Sequence, residues 1–229
     1  MRTADAVSCS AVLFDLDGTL IDSEPNYQAA DGRFLAEYGI PVDEDLRRRM
    51  LGRGSDEIIR MLRDEHGVTE DPAALLYRKD DYYLELARGG TRVFPEMLRL
   101  LDILGDMGLP LAVASGSSLR VIREMLELCG IRDRFLAAVS SEETPRGKPA
   151  PDVFLEAARR IGVPPGSCLA LEDSAAGVEA ALAAGIRVFA IPTIITPPLP
   201  EPFHRAHRLW PQGMRSFRAE DFLAGVRRT

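Results

Sequence analysis

Two hydrophobic rhythms divide this chain. Between residues 24 and 92 the apolar positions return at helical spacing. Tyr27, Phe34, Leu35 and Tyr38 line a first helix, which Gly39 and Pro41 stop. A second short helix is predicted from Asp43 to Met50, and a third after Ser55, with Ile58, Ile59 and Leu62 on one side. A fourth opens at Asp71-Pro72, an N-cap followed by proline at the first helical position, and runs to Ala87 ahead of Gly89-Gly90. Four helices joined by short loops predict a small bundle.

From about Val93 the rhythm changes. A helix after Pro95 ends near Gly108, and apolar strands then alternate with helices. The strands are Leu109–Ser115, Phe135–Ser140, Cys168–Glu172 and Ile186–Ile191; the helices are a segment reaching Gly130, Pro151–Ile161 and Ser174–Ala184. Continuous apolar strands alternating with helices predict an α/β fold, a parallel sheet with helices on both faces. The run Val12-Leu13-Phe14, within a strand at residues 11–16, must join that sheet, because one strand cannot bury itself. The helical segment 24–92 is then an insertion, and residues 1–23 and 93–229 form the main domain. The tail from Pro192 is less regular: an irregular surface segment is predicted where Pro197, Pro198, Pro200 and Pro202 crowd together, and Trp210 is expected to anchor the tail on the core.

Composition narrows the class of protein. Of 229 residues, 46% are hydrophobic and 28% charged, as in a soluble globular enzyme. The net charge of −7 argues against nucleic-acid or anionic-membrane partners. No apolar run approaches the roughly 18 residues of a membrane span, and the start, with Arg2 and Asp5, does not read as a signal peptide. Cys9, Cys129 and Cys168 are odd in number and fit no metal spacing, so reduced thiols in a cytoplasmic protein are expected. Only Lys79 and Lys148 among 28 basic residues are lysines. Against that arginine bias, a retained lysine suggests a site needing a compact ammonium, and Lys148 is the candidate.

Candidate chemistry gathers where strands end. Asp15 and Asp17, two residues apart at a strand tip before the turn Gly18-Thr19, can face one small volume, where they repel unless one is protonated or a cation is shared. The alternative, a solvated turn with Asp at favourable positions, is set against three fragments downstream that fit the functional reading. Ser115-Gly116-Ser117 follows the apolar run Leu111–Ala114 and could cradle phosphate at a helix N-terminus or merely cap it. Lys148 lies in Arg146-Gly147-Lys148-Pro149-Ala150-Pro151-Asp152, where prolines restrict the backbone. Leu169–Gly177 delivers Glu172 and Asp173 at a strand end, with Ser174 able to cap the next helix.

These four fragments, in this order, resemble the haloacid dehalogenase superfamily, in particular its branch of helical-cap phosphatases that includes β-phosphoglucomutase-like enzymes. The resemblance spans about Ala11 to Ile191. It implies a Rossmann-like core, with residues 24–92 as a four-helix cap domain, and a Mg²⁺-dependent phosphatase acting on a small-molecule phosphate ester, with sugar phosphates expected. Asp15 then matches the nucleophile and a magnesium ligand. Asp17 matches the general acid/base, its backbone carbonyl on the metal. Ser115 and Lys148 match the groups holding the phosphoryl oxygens. Asp173 matches the remaining metal ligand, and Glu172 the residue supporting the metal site. Thr19, Gly116, Ser117 and the cap-loop Arg53 are candidate substrate-binding residues. A monomer is expected.

Other readings stay open at this level. A mutase usually carries histidine where this chain has Tyr27, and the loop Leu51-Gly52-Arg53-Gly54-Ser55 gives no clean match to the mutase-type arginine and serine, which favours hydrolysis. Dehalogenases of this fold lack the second aspartate. Phosphonatases use a cap lysine, but Lys79 lies too late in the cap. A non-catalytic phospho-ligand sensor would have no use for a nucleophile and an acid placed together. His204 and His207 are spaced for a metal pair but have no third ligand, and His66 reads as a solvated last-turn residue.

Overall fold

A computed structural model describes residues 7–50, 55–193 and 197–228. The chain divides into two compact units, Met1–Asp22 with Arg92–Thr229, and Ser23–Thr91. It begins with β1 (Val7–Cys9) and β2 (Ala11–Phe14). Four helices follow: α1 (Glu24–Ala36), α2 (Glu44–Met50), α3 (Ser55–His66) and α4 (Pro72–Ala87). Asp71 caps α4, its carboxylate accepting the Ala74 N–H at 3.0 Å. Phe34, Leu35, Ile58, Ile59, Leu62 and Leu75 close the core of this unit.

Lys79 answers a question that composition left open. It is buried inside the helical unit, its ammonium 2.7 Å from Asp31 and 3.3 Å from the Ser55 hydroxyl. The ammonium also lies 5.1 Å from the centre of the Tyr27 ring, which stacks on Tyr83 at 4.0 Å. Lysine fits because a compact charge can be enclosed by one carboxylate, one hydroxyl and one aromatic face.

The second unit continues with α5 (Pro95–Asp106), β3 (Leu111–Ser115), α6 (Leu119–Leu128), β4 (Ala137–Ser140), α7 (Asp152–Arg160), β5 (Cys168–Glu172), α8 (Ala175–Ala183) and β6 (Arg187–Ala190). It ends with α9 (Glu201–His204), β7 (Arg208–Leu209), α10 (Ala219–Ala224) and β8 (Val226–Arg228). Six strands form one parallel sheet in the order β4-β3-β2-β5-β6-β7. The order makes β2 central: the chain steps from it to β3 and β4 on one side, then returns to β5, β6 and β7 on the other. Such a reversal opens a crevice at the carboxyl ends of the strands.

Strand periodicity explains both covered faces. Ala11, Leu13, Ala112, Ala114, Ala170, Val188 and Ala190 belong to one cluster with Val153, Phe154 and Ala157 of α7 and Val178 and Ala181 of α8. Small residues on that face let the helices approach closely. The alternate positions Val12, Phe14, Leu111, Val113, Leu169 and Leu171 point the other way and are equally buried. Among the described residues, no helix is long and apolar enough to cross a membrane.

In the tail, residues 197–200 lie outside helix and strand and are largely exposed, as predicted for the proline-crowded stretch. After them the chain is regular again: α9 follows, β7 extends the sheet, and β8 pairs in parallel with β1. No proline falls within β7 or β8, so both strands keep their backbone donors. Trp210 anchors this segment, edge-on to Phe189 at 5.7 Å and Phe217 at 5.1 Å, with the Arg208 guanidinium 4.6 Å from its ring centre.

His207 serves the sheet rather than a metal. Its Nδ1 accepts the Val188 N–H at 3.3 Å, while its own N–H donates to the Val188 carbonyl at 2.9 Å. Burial and the nearby Arg187 hold its pKa below the ordinary 6.5. A depressed histidine contributes stability that is present above 6.5 and lost as pH falls through its folded-state value. Below pH 6.5 the denaturant midpoint of wild type is therefore expected to fall relative to that of His207→Leu. An unchanged acid limb in the variant would remove His207 from this role.

Candidate active site

The end of β2 sets the centre of the site. The Asp15 N–H donates to the Leu171 carbonyl at 3.0 Å, so Asp15 still rides on the sheet beside β5. The chain then turns, with the Gly18 N–H bonded to the Ile21 carbonyl at 2.9 Å. Gly18 adopts φ 77°, and a Cβ there would fall 2.4 Å from Asp173 Oδ2. Glycine thus serves twice, for the left-handed backbone and for close approach to Asp173.

Lys148 joins two strand ends. Its Nζ lies 2.6 Å from Asp15 Oδ1 and 2.5 Å from Glu172 Oε1. It also sits 5.0 Å from the centre of the Phe154 ring. Glu172 is fully buried, and its other oxygen accepts the Ser174 N–H at 2.8 Å and the Ser174 hydroxyl at 3.0 Å. Ser174 in turn caps α8 by accepting the Gly177 N–H at 3.0 Å. Both Glu172 oxygens are engaged by protein donors, and Glu172 thereby holds Lys148 and the Ser174 turn in place.

Other expected residues fall into place differently. The Ser115 hydroxyl oxygen accepts the Ser117 N–H at 3.1 Å, which leaves its proton to donate. The N-terminus of α6 is already served by the Ser118 hydroxyl, on the Val121 N–H at 3.2 Å, and by Glu142, on the Leu119 N–H at 3.0 Å. The Ser117 hydroxyl donates to Asp17 Oδ2 at 2.6 Å. Thr19, expected at the substrate, has no exposed surface, and its hydroxyl turns to Asp173 Oδ1 at 3.4 Å. Gly116 is exposed at the loop tip with open space around it. Arg53 lies outside the described residues.

Sequence reasoning missed three contributors. Thr193 donates to the Gly18 carbonyl at 2.9 Å and also hydrogen-bonds Asp173. Ser140 ends β4 in register with Ser115 and donates to the Ser117 carbonyl at 2.6 Å. Gly177 allows α8 to abut Glu172: a Cβ there would lie 1.7 Å from Glu172 Oε1. Only Gly177 left a trace in the sequence, as a glycine inside a predicted helix.

The electrostatics are unbalanced. Asp15 and Glu172 share one ammonium, and the charges of Asp17 and Asp173 act on the same cluster. Burial pushes the Asp15 carboxyl up to about 8; Lys148 pulls it down, while Glu172 and Asp17 push with burial. Asp173 is raised by burial and by the charges of Glu172 and Asp15. Lys148 is raised despite its burial, because Asp15 and Glu172 hold the proton on it. Among the described residues, no three His, Cys, Asp or Glu side chains form a ready-made metal cage. The excess of oxygen anions nevertheless suits one hard divalent cation that takes few side-chain ligands and keeps water.

A parallel α/β sheet carrying buried carboxylates and a paired lysine at its carboxyl edge is the architecture of an enzyme site. The model of the haloacid dehalogenase-like hydrolases matches residues 9–185. The chain is 32% identical over 179 residues to fructose-1-phosphate phosphatase YqaB of Escherichia coli, covering 77% of this chain and 93% of that one. It is 36% identical over 202 residues to the plasmid-encoded protein CbbY of Cupriavidus necator, covering 82% and 78%. Among solved structures, CbbY of Rhodobacter sphaeroides in complex with xylulose-(1,5)bisphosphate superposes with a TM-score of 0.81 at 28% identity, covering 91% of this chain and 96% of that one. The chain belongs to the haloacid dehalogenase-like hydrolases.

Proposed function

We propose that this hydrolase cleaves small phosphate monoesters, sugar phosphates foremost, with Asp15 as nucleophile and Asp17 as proton donor and acceptor. The observation that carries the reading is the buried Asp15–Lys148–Glu172 set at the carboxyl edge of the sheet, with Asp17 two residues from Asp15. The phosphatase relative adds support for the substrate class. The helical unit Ser23–Thr91 is proposed as the cap domain.

In this mechanism an Asp15 oxygen attacks phosphorus in line, and the bond from phosphorus to the ester oxygen breaks with its electron pair on that oxygen. Asp17 gives its proton to the departing oxygen, so a neutral alcohol leaves and an acyl phosphate remains on Asp15. Asp17, now ionised, takes a proton from water as that water attacks the acyl phosphate, releasing inorganic phosphate and restoring both carboxyls. Lys148 and the Ser115 hydroxyl hold the phosphoryl oxygens, and Glu172 keeps Lys148 aimed. Asp15, Asp173 and the backbone carbonyl of Asp17 would hold Mg²⁺, which when bound supplies the positive charge that lets a carboxylate approach a phosphate dianion. Tyr27, stacked on Tyr83 and facing the Lys79 ammonium, is a packed aromatic where a mutase carries histidine, which supports hydrolysis over transfer.

The test is phosphate release from a panel that includes fructose 1-phosphate, hexitol phosphates and xylulose 1,5-bisphosphate, with Mg²⁺ and then with chelator. Release that vanishes with chelator and returns with Mg²⁺ is expected, together with a rise in melting temperature when Mg²⁺ is added to metal-free protein. Undiminished release in chelator would overturn the magnesium assignment, and no release from any ester would overturn the phosphatase reading.

A further inference from the structure

We propose that Ser117 is a positioning residue for Asp17: its hydroxyl sets the orientation of the carboxyl that protonates the departing alcohol, and does not bind the phosphoryl group. The proposal rests on the phosphatase reading above. The Ser117 hydroxyl donates to Asp17 Oδ2 at 2.6 Å, at the short end of the range for hydroxyl donors. A hydroxyl carries one proton, and here that proton goes to Asp17.

What gives this contact directing power is how firmly Ser117 itself is held. Its N–H donates to the Ser115 hydroxyl at 3.1 Å, and its carbonyl accepts the Ser140 hydroxyl at 2.6 Å. Ser140 is fully buried at the end of β4. It is anchored by its N–H on Glu143 Oε2 and by the Glu142 N–H on its Oγ, both at 3.1 Å. The ends of β3 and β4, in register at Ser115 and Ser140, thus clamp the Ser117 backbone from two sides. The backbone of the loop holding Asp17 is fixed independently by the Gly18–Ile21 and Leu20–Leu16 hydrogen bonds. An aspartate side chain turns about two bonds. Pinning Oδ2 fixes the carboxyl plane, and with it the direction in which Oδ1 presents or receives a proton. Proton transfer tolerates errors of only about 0.5 Å and 10–20°, so a fixed donor to Oδ2 has a large lever on rate.

Two kinds of ester separate positioning from phosphoryl binding. A sugar phosphate leaves as an alkoxide and needs the Asp17 proton; p-nitrophenyl phosphate leaves as a stable phenolate and needs it little. Both carry the same phosphoryl group. The constant kcat/KM, which reports steps through the first cleavage, is measured for each ester with wild type, Ser117→Ala, Ser117→Thr, Ser140→Ala and Asp17→Asn. Ser117→Ala is expected to lower the alkyl-to-aryl ratio of kcat/KM by ~10–100-fold, the scale of a misplaced catalytic group. Ser140→Ala should shift the ratio the same way by less, and Ser117→Thr, which keeps the hydroxyl, should restore it. Circular dichroism and melting curves confirm that the variants are folded.

Equal losses on both esters with Ser117→Ala would assign the hydroxyl to the phosphoryl group and overturn the proposal, as would an unchanged ratio. Asp17→Asn supplies the separate check on the underlying reading, because it must lower the same ratio at least as far. If it does not, or if wild type cleaves neither ester, the phosphatase assignment fails and this inference falls with it.

Discussion

Asp15→Asn is expected to reduce phosphate release by more than about 10³-fold, the order lost when a covalent nucleophile is removed, while the protein stays folded. The amide keeps the shape of the carboxyl, and Lys148 keeps Glu172 at 2.5 Å as its partner. Removing one of the carboxylates in this cluster also relieves repulsion, so metal-free Asp15→Asn should melt no lower than wild type at pH 8. Turnover near the wild-type rate would reject Asp15 as nucleophile.

The same substitution has a signature in pH. The Asp15 carboxyl stands at about 8 in the fold against an ordinary 3.8, raised mainly by burial. The folded state therefore holds a proton that the unfolded chain releases. For an acid shifted upward, stability is highest below 3.8 and declines as pH rises through about 8. Metal-free wild type should lose stability over that window, and the slope should lessen in Asp15→Asn. His207 acts with the opposite sign below pH 6.5, so the difference between wild type and variant isolates the Asp15 contribution. Added Mg²⁺ should stabilise wild type more at pH 8 than at pH 5, because the ionised carboxylate is the form that would bind it. A wild-type slope identical to that of the variant would contradict the burial argument.

Gly177→Ala carries the second large effect, with a different cause. The new methyl group would lie 1.7 Å from Glu172 Oε1 and 2.0 Å from its Cδ. Glu172 has no free direction of retreat: one oxygen holds Lys148, the other holds the Ser174 turn, and the side chain is fully buried. Either α8 shifts or Glu172 is displaced and takes Lys148 away from Asp15. Overpacking of this kind costs about 1–3 kcal/mol, and displacement of a buried paired charge adds to it. The variant should melt well below wild type and lose most of its turnover. Gly116→Ala is the matched control: a Cβ there meets nothing within 4 Å, so stability should hold. Equal melting temperatures for Gly177→Ala and wild type would show that α8 yields at no cost.

Much of this was readable without coordinates because it depended on short-range rules. The alternation of apolar strands and helices predicted the parallel sheet, and the helical spacing over residues 24–92 predicted the inserted helices, whose N-cap at Asp71 and proline start at Pro72 both appear in the structure. Asp15, Lys148 and Glu172 were legible as strand-end or loop-end polar residues following apolar runs. The proline-crowded stretch of the tail was legible, but the return to order after it was not, because clustered prolines speak only for their own segment. Whether β7 joins the sheet depends on an open edge of β6 that no local pattern in the tail reveals.

The amino-acid sequence by itself determined which residues lie at strand ends, and hence which carboxylates and which lysine could do chemistry. Tertiary structure alone decided their partners. Asp15 and Lys148 are 133 positions apart, and Asp17 and Ser117 are 100 apart. Thr19 reads as a substrate-facing turn residue until folding encloses it against Asp173, and Ser140 reads as an unremarkable strand end until β4 aligns beside β3. The physical reason is range. Propensity and periodicity act within a few residues, whereas hydrogen bonds, ion pairs and the space available at Gly177 depend on which strands lie side by side. That order is settled only when the sheet assembles.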